Sequence, residues 1–253
     1  MTRDYLSLAG QLADAARAAV MPLFGQDFGC TFKEDGSPLT DADLASEKAM
    51  CELLEREVPD HAIWSEERGR QQGDWLWILD PIDGTKSFAS GCPLFTVLIG
   101  LLHEGEPVLG VIEAPATGER WIGDGSSCSY TDAAGTTRNC RVRPPVPLTE
   151  AIAASTLPPQ NATERRITEA AGVFRYGGDA YNFALVAAGR MHFSFDSNLQ
   201  PYDYMPLLPV IEGAGGCIAE FSGKRPSLDG DGSAIAAADR SMLDEILALA
   251  ADG

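Results

Sequence analysis

Positive charge, histidine and long apolar runs are all scarce in this sequence. The 253 residues include 37 Asp and Glu against 19 Lys and Arg, a net charge of −18, and only three histidines. Such a chain is a poor partner for nucleic acid, because phosphate backbones are bound by Lys and Arg that displace counterions. No run approaches the ~20 apolar residues that span a bilayer, so we expect no membrane partner. The negative charge would also repel an anionic substrate unless bound cations reversed it locally, although solubility alone explains most of the surface acids.

Paired cysteines are absent as well. The six cysteines lie far apart and form no CxxC motif, which argues against a zinc knuckle or a thioredoxin-like site. The N-terminal stretch carries Asp4 and Asp14 within an amphipathic pattern, which predicts a first helix rather than an export signal. We therefore expect a cytoplasmic protein with reduced thiols, in which Cys51 and Cys217 are core residues.

The three histidines match no catalytic triad. His61, His103 and His192 are accompanied by neither a serine nucleophile elbow nor a Walker loop. A lone histidine in such a setting is most often structural, so we assign no catalytic role to any of them.

Helical and strand patterns interrupt one another along the chain and predict a layered α/β protein with mixed sheets. Helices are predicted from apolar spacing and capping residues at 4–24, 40–58, 163–171, 179–188, 202–215 and 240–250. Strands are predicted from short apolar runs between turn residues at 62–67, 74–80, 94–102, 107–115, 118–125, 127–130, 138–143, 190–196, 217–221 and 234–238. The proline-rich stretch at 144–149 is the best candidate for a boundary, and it divides the chain into halves 1–145 and 146–253.

Carboxylates recur where a predicted strand ends or a predicted helix begins. In the stretch WILDPIDGTKSF, Asp80 ends a strand that is predicted to be buried on both faces, and Asp83 follows without a neutralising base. Turn chemistry explains one of these two acids but not the pair. Strand ends and helix starts are where α/β folds gather their sites, and oxygen-only ligands suit Mg²⁺. The acids in such positions are Asp43, Glu66, Glu67, Asp80, Asp83 and Asp203.

Structural explanations compete for some of these acids. Asp43 could be an acid favoured in the first turn of its helix. Asp203 could be a plain N-cap, and one of Glu66 and Glu67 could be a solvated surface acid. The segment 80–85 is harder to explain in this way. The carbonyl oxygen of Ile82 could point inward beside both acids, and the amides of Gly84–Thr85 would open a helix, where phosphate binds readily.

The segment WILDPIDGTKSF, preceded by SEE and followed far downstream by PYDYMPLLPVIEGAGG, resembles the inositol monophosphatase superfamily of Mg²⁺-dependent, lithium-sensitive phosphatases. The resemblance runs from SPLTDAD to GAGG, nearly the whole chain, and its Asp-Pro-Ile-Asp-Gly-Thr core is highly specific. It implies a layered αβαβα sandwich, a homodimer, and a site between the two halves of the chain.

The resemblance also implies a set of metal ligands. One Mg²⁺ is expected on Glu66, Asp80 and the backbone oxygen of Ile82. A second is expected on Asp80, Asp83 and Asp203, so that Asp80 bridges the two ions. A third, weaker ion would share Glu66, which makes two to three ions per site.

The same family pattern implies the catalytic and phosphate-binding residues. Asp43, Thr85 and Glu66 are the expected catalytic residues, and the first two would orient the attacking water. The amides of Gly84 and Thr85 would hold the phosphate. Hydrolysis of a phosphate monoester is among the slowest uncatalysed reactions, and two metal ions can clamp its attacking and leaving oxygens.

Two positions depart from the family pattern, and neither removes a ligand. Tyr202 stands where the family commonly has Trp, and Ser65 stands where its commonest form has Gly. These departures leave the metal site intact and bear on the choice of substrate.

The substrate half of the chain resembles the histidinol-phosphatase branch of the superfamily. The features that carry this resemblance are GGDAY at 177–181, the PYDY segment at 201–204 and Ser87, which stands where inositol enzymes usually have Asn. Histidinol phosphate carries an amine and an imidazole, so its pocket needs carboxylates beyond the metal ligands. Asp179 and Asp196 are placed to serve, although an N-cap and a strand-end turn are alternative explanations for them.

Two classes of function therefore remain. The leading hypothesis is a Mg²⁺-dependent phosphomonoesterase acting on L-histidinol phosphate, with inositol 1-phosphate or a sugar phosphate as the alternative substrate. The other class is a catalytically silent binding or regulatory protein on the same fold. Retention of all the expected metal-site acids argues against loss of activity.

Overall fold

The computed structural model describes residues 4–26, 30–32 and 38–251. The helices within these residues are α1 (Tyr5–Val20), α2 (Asp41–Glu57), α3 (Thr85–Ala89), α4 (Ala162–Ala170), α5 (Asp179–Ala187), α6 (Pro201–Tyr204), α7 (Leu207–Gly213) and α8 (Arg240–Ala251), with a 3₁₀ turn at Leu148–Glu150. The first ten strands are β1 (Cys30–Phe32), β2 (Pro38–Thr40), β3 (Ala62–Ser65), β4 (Gly69–Arg70), β5 (Trp75–Asp83), β6 (Thr96–His103), β7 (Glu106–Ala114), β8 (Glu119–Gly123), β9 (Cys128–Thr131) and β10 (Thr137–Asn139). The remaining strands are β11 (Ile152–Ser155), β12 (Val173–Tyr176), β13 (Phe193–Asp196), β14 (Cys217–Ala219) and β15 (Ala234–Ala237).

The strands form two mixed sheets and a short antiparallel ribbon of β1 and β2. The eight-stranded sheet has the order β10-β9-β8-β7-β6-β5-β3-β4, and only β3 and β5 run parallel in it. The five-stranded sheet has the order β12-β11-β13-β15-β14, with β11 parallel to both of its neighbours. The predicted mixed α/β architecture is therefore confirmed.

Helices and sheets alternate in five layers. Helices α1 and α2 cover one face of the eight-stranded sheet, α5 to α7 lie between the two sheets, and α4 and α8 cover the outer face of the five-stranded sheet. Strand β5 shows why the central sheet is buried on both faces. Trp77 and Leu79 pack towards α1 and α2, whereas Leu76 and Ile78 belong to the core around α5 to α7, as the two-residue period of a strand requires.

Close backbone contact seats the α6–α7 segment on the eight-stranded sheet. A β-carbon on Gly110 of β7 would lie 1.9 Å from the carbonyl oxygen of Pro206, and one on Gly123 of β8 would lie 2.3 Å from that of Pro209. Glycine is therefore required at both positions, because any side chain would push the helices away. This seating brings Asp203 of α6 against the end of β5.

Several predicted boundaries are wrong in detail. The first helix ends at Val20 rather than at 24, and the predicted helix 202–215 is two helices, because the chain breaks between them at Met205–Pro206. The predicted strand 62–67 ends at Ser65, and that at 138–143 is the shorter β10. Strands β11 and β12 were not predicted. The division into halves 1–145 and 146–253 falls between the two sheets and stays a prediction.

The cysteines and histidines singled out in the sequence lie in contacts within the fold. Cys51 is buried as predicted, whereas Cys217 is half-buried at the edge strand β14 and packs against the core beside it. His61 accepts a hydrogen bond from Trp77 Nε1 at 3.2 Å, and His192 Nδ1 accepts one from the Ile152 amide at 2.8 Å. None of the helices described is both long and apolar enough to cross a membrane.

Candidate metal and phosphate site

Three carboxylates converge where β5 ends. Asp80 and Asp83 flank an irregularity in the pairing of β5 with β6, and Asp203 comes from the first turn of α6. One carboxylate oxygen from each lies within 4.8 Å of the other two. The sequence placed Asp203 more than a hundred residues from the other two, and the seating of α6 on the sheet brings them together.

Hydrogen bonds fix the orientation of each member of this acidic triplet. Asp80 Oδ1 accepts from its neighbouring Ile82 amide at 3.0 Å. Asp83 Oδ2 accepts from Thr96 Oγ1 and from the Ala180 amide, both at 2.8 Å. Asp203 Oδ2 accepts from the Gln200 amide at 2.7 Å, which forms a capping box at the start of α6. Asp203 is therefore the third residue of its helix and not the N-cap.

The electrostatics of the triplet fit a divalent cation. Burial, followed by the negative charges of Glu66, Asp83 and Asp203, raises the pKa of Asp80 well above its ordinary value. Burial raises the pKa of Asp83 to about 8, with Asp179 as the next cause, and burial and then Asp83 raise that of Asp203 to about 8. Such repulsion among ionised oxygens is relieved by a hard cation, which prefers oxygen donors of this kind.

The other two expected metal ligands lie beside the triplet. Glu66 follows β3, and its amide donates to the Leu79 carbonyl at 3.3 Å. Its charge acts on Asp80, but Glu66 does not belong to the triplet. The carbonyl oxygen of Ile82 accepts from Thr85 Oγ1 at 3.0 Å, so it is directed towards the start of α3. Their roles as ligands stay predictions.

The expected catalytic pair lies at the starts of α2 and α3. Asp43 is buried in the first turn of α2, where Oδ2 accepts from the amide and hydroxyl of Thr40 in a capping box. Thr85 Oγ1 lies 3.5 Å from Asp43 Oδ1, at the limit of a hydrogen bond, so its shorter bond to Ile82 dominates. The first-turn explanation of Asp43 is correct, and the same carboxylate also reaches the site.

Gly84 is required by its conformation and by its neighbour. Its φ of +87° lies in the left-handed region, and it caps the short helix α3, so its amide and that of Thr85 stand at a helix start, as predicted. A β-carbon at this position would lie 2.8 Å from Asp179 Oδ2. The carboxylate of Asp179 therefore lies directly against the expected phosphate site.

A cavity of about 100 Å³ opens beside the triplet and is strongly acidic. Asp83 and Asp203 form one side of it, and Asp179, Asp196 and Glu164 contribute further carboxylates. The described residues that line it include no Lys, Arg or His. The remaining lining residues are polar or apolar: Ser155, Thr156, Leu157, Gln160, Ala180, Phe183, Phe195, Ser197, Leu199 and Leu207.

The two predicted substrate acids have different surroundings in this cavity. Asp196 ends β13, and both of its oxygens accept from Thr156, from the amide at 2.7 Å and from the hydroxyl at 2.9 Å. Asp179 is the first residue of α5 after the N-cap Gly178, so the N-cap explanation is wrong. Its φ of +44° lies in the left-handed region, which few residues other than glycine, asparagine and aspartate adopt, and such conformations collect at functional sites.

Charge also distinguishes the two acids. Burial, and next the charge of Asp196, raises the pKa of Asp179 to about 6, while Lys86 opposes the shift. Burial raises the pKa of Asp196 to about 7 against the hydrogen bonds from Thr156. Burial and then negative neighbours raise the pKa of both acids, with Lys86 opposing the shift at Asp179, so a cationic ligand would offset this repulsion.

Sequence reasoning missed the residues that support these acids. Thr156 meets Asp196 only because β11 and β13 pair in parallel, and β11 was not predicted. Thr96 and the Ala180 amide reach Asp83 across 13 and 97 residues of sequence. A polar residue just after a strand is the one signal that could have indicated Thr156.

Comparison with known proteins places this chain among phosphatases. The profile of the Inositol monophosphatase family matches residues 2–252. The Bifunctional phosphatase IMPL2, chloroplastic, of Arabidopsis thaliana is 38% identical over 92% of this chain and 68% of its own length. The Histidinol-phosphatase of Chlorobaculum parvum is 33% identical over 100% of this chain and 98% of its own. The structure of an inositol monophosphatase from Zymomonas mobilis matches with a TM-score of 0.87 and 33% identity, covering 98% of this chain and 97% of that one.

Proposed function

The chain belongs to the inositol monophosphatase family, a family of metal-dependent phosphatases, and we propose that its substrate is L-histidinol phosphate, hydrolysed to histidinol and phosphate with Mg²⁺. The observation that carries the choice of substrate is the acidic cavity beside the metal-site triplet. A cationic alcohol phosphate would place its phosphate at the triplet and its amine and imidazole among the additional carboxylates.

The residues proposed to hold Mg²⁺ are chemically suited to it. The carboxylates of the triplet, together with Glu66 and the Ile82 carbonyl, would form an oxygen-only donor set for two to three ions. When bound, such ions neutralise the acids, polarise the phosphate and lower the pKa of a water ligand. The family is metal-dependent. That the ion is Mg²⁺, and that each site holds two to three ions, is what we propose.

The proposed steps of the protein's own residues follow from their positions. Asp43 and Thr85, whose Oδ1 and Oγ1 atoms lie 3.5 Å apart, would orient a water molecule for attack on phosphorus. The amides of Gly84 and Thr85 would bind the phosphate oxygens, and the new bond to phosphorus would form as the bond to the substrate alcohol breaks. Glu66 would accept the proton that the water gives up on the way to the leaving alcohol.

The alternative substrate is inositol 1-phosphate or another sugar phosphate. Likeness to the Zymomonas mobilis inositol monophosphatase supports it. A neutral polyol does not need buried carboxylates, however, and leaving Asp179 and Asp196 without a cation has an electrostatic cost. The likeness to the histidinol-phosphatase of Chlorobaculum parvum supports the cationic substrate.

The alternative to a phosphatase is a catalytically silent binding or regulatory protein with the same fold. The observed convergence of the triplet argues against it, because carboxylates that repel one another would be costly to keep without a cation. A homodimer in the cytoplasm is part of the proposal, and the cysteines described as free thiols are consistent with a reducing compartment.

Release of inorganic phosphate from L-histidinol phosphate tests the proposal. We expect turnover with Mg²⁺, its disappearance with excess chelator, and recovery when Mg²⁺ is restored. A matched reaction with the chelator already saturated by Mg²⁺ controls for inhibition by the chelator itself. Full turnover after exhaustive chelation would contradict the metal role, and no turnover of any phosphate ester with Mg²⁺ would favour the silent protein.

A further inference from the structure

One face of α2 carries three buried polar side chains, Asp43, Ser46 and Glu47, which we call the polar stripe. Positions three and four residues apart lie on the same side of a helix. Their exposed fractions are 1%, 0% and 4%, respectively. Buried polar groups in proteins are almost always hydrogen-bonded, so the partners of the stripe show what it holds.

Ser46 holds the segment that joins two proposed metal ligands. Its Oγ donates to the carbonyl oxygen of Pro81 at 3.0 Å, in a contact buried between α2 and β5. Pro81 lies between Asp80 and Ile82, where the pairing of β5 becomes irregular. Because this carbonyl has left the regular ladder, the serine hydroxyl gives it a defined partner and fixes the local path of the chain.

Glu47 holds the turn that carries another proposed ligand. Its Oε2 accepts from the Glu67 amide at 3.0 Å, and its Oε1 lies 3.6 Å from Arg68 Nε. Arg68 also pairs with Glu55, eight residues further along α2, at 2.9 Å. The amide held by Glu47 is that of the residue directly after Glu66, so the helix controls the backbone from which the Glu66 side chain projects.

We propose that Glu47 and Ser46 are positioning residues for the metal site, a role that rests on the ligand assignment in the proposed function. Glu66 lies outside the acidic triplet, so its approach to a shared ion depends on how the turn at 66–68 is fixed. The polar stripe thus holds the end of β5 through Ser46 and this turn through Glu47, and its Asp43 lies 3.5 Å from Thr85 at the start of α3. One helix therefore orients two segments that carry proposed metal ligands and are distant from it in sequence.

The role predicts a selective effect on metal affinity. Loss of a residue that orients metal ligands typically weakens binding or activity about tenfold to a hundredfold. In Glu47→Ala the acceptor for the Glu67 amide is removed. In Glu47→Gln an amide oxygen can still accept that bond, so this variant should recover most of the affinity. Glu52→Ala is the matched control, since Glu52 lies on the same helix with its side chain 62% exposed and pairs only loosely with Lys48 at 3.8 Å.

Calorimetric titration of the purified protein with Mn²⁺, a spectroscopic and chemical substitute for Mg²⁺ at oxygen sites, measures this directly. We expect Glu47→Ala to bind at least one Mn²⁺ about tenfold or more weakly, with Glu47→Gln and Glu52→Ala close to wild type. Thermal unfolding of the metal-free proteins is recorded in parallel. A lower unfolding temperature with unchanged Mn²⁺ affinity would show that Glu47 only supports the fold, and would overturn the proposal.

Two further measurements keep the test decisive. If Glu47→Ala does not fold, Ser46→Ala decides, because it removes one hydroxyl and leaves a small side chain; a folded Ser46→Ala with wild-type affinity would contradict the proposal. Hydrolysis is not needed for this assay. A wild-type protein that binds Mn²⁺ but cleaves no phosphate ester would refute the proposed function alone, whereas one that binds no Mn²⁺ would refute the positioning role.

Discussion

Replacing Asp179 by Asn should separate recognition of the substrate from its hydrolysis. The Asp179 carboxylate lies against Gly84 and faces the acidic cavity, whereas both oxygens of Asp196 are already bonded to Thr156. Asp179 is therefore the acid more available to the cationic end of histidinol phosphate. Asn is the suitable replacement because it tolerates the left-handed conformation with φ of +44° that residue 179 adopts.

The magnitude follows from the kind of contact that is lost. A hydrogen bond to a charged group contributes roughly 1.5–3 kcal/mol, and each ~1.4 kcal/mol is a factor of ten in rate. The kcat/KM for histidinol phosphate should therefore fall about tenfold to a hundredfold. With glycerol phosphate, an ester of an uncharged alcohol, the same variant should lose almost nothing, because the metal ligands are unchanged.

Steady-state kinetics on both substrates at saturating Mg²⁺ provide the assay. Saturation matters because Asp179 contributes to the raised pKa of Asp83 and could alter metal affinity. Asp196→Asn is the matched comparison: its amide oxygen can still accept from the Thr156 amide and its NH₂ group can donate to the Thr156 hydroxyl, so we expect an intact cavity and a smaller loss on histidinol phosphate than in Asp179→Asn. Equal losses on both substrates in Asp179→Asn would refute the argument and assign this acid to the fold or the metals.

Three further substitutions test the geometry of the site. Asp80→Asn should lower activity to less than about a tenth of the wild-type rate. The metal-free variant should unfold at the same or a higher temperature than wild type, because one repelling charge is gone. A variant that keeps more than about a tenth of the wild-type rate would contradict the proposal that Asp80 bridges two metal ions. Gly84→Ala should destabilise the protein by about 1–2 kcal/mol and impair hydrolysis, because its β-carbon meets Asp179; denaturant unfolding and kinetics identical to wild type would contradict this. Gly110→Ala should lower the free energy of unfolding by about 1–3 kcal/mol, because its β-carbon would lie 1.9 Å from the Pro206 carbonyl oxygen; unchanged unfolding would show that α6 and α7 are not seated as described.

Elements with strong local signals could be predicted from the sequence. The capping residue Thr40 and the acids after it indicated α2, and the continuous apolar run up to Asp80 indicated a strand buried on both faces. Strands β11 and β12 were missed because their short, alanine-containing or partly exposed sequences show no clear two-residue period. The break between α6 and α7 was missed because the apolar pattern continues through Met205–Pro206.

The site shows the same division between local and tertiary information. Asp80, Asp83 and Asp203 were grouped from their places at strand ends and helix starts, the family resemblance assigned them to one ion, and the structure brings their oxygens within 4.8 Å. Glu47 could not be predicted, because on the sequence it is one charged helix residue among many. Its role depends on an amide 20 residues away that the fold delivers to α2. Residues that hold ligands in place carry little local signature, since their partners are fixed by packing.

The central claim is that this phosphatase recognises a cationic alcohol through carboxylates beside its metal site. The ratio of kcat/KM for L-histidinol phosphate to that for inositol 1-phosphate, measured on one preparation with Mg²⁺, tests it most directly. We predict a ratio well above one that falls towards one in Asp179→Asn. A wild-type ratio below one would contradict the assignment of substrate.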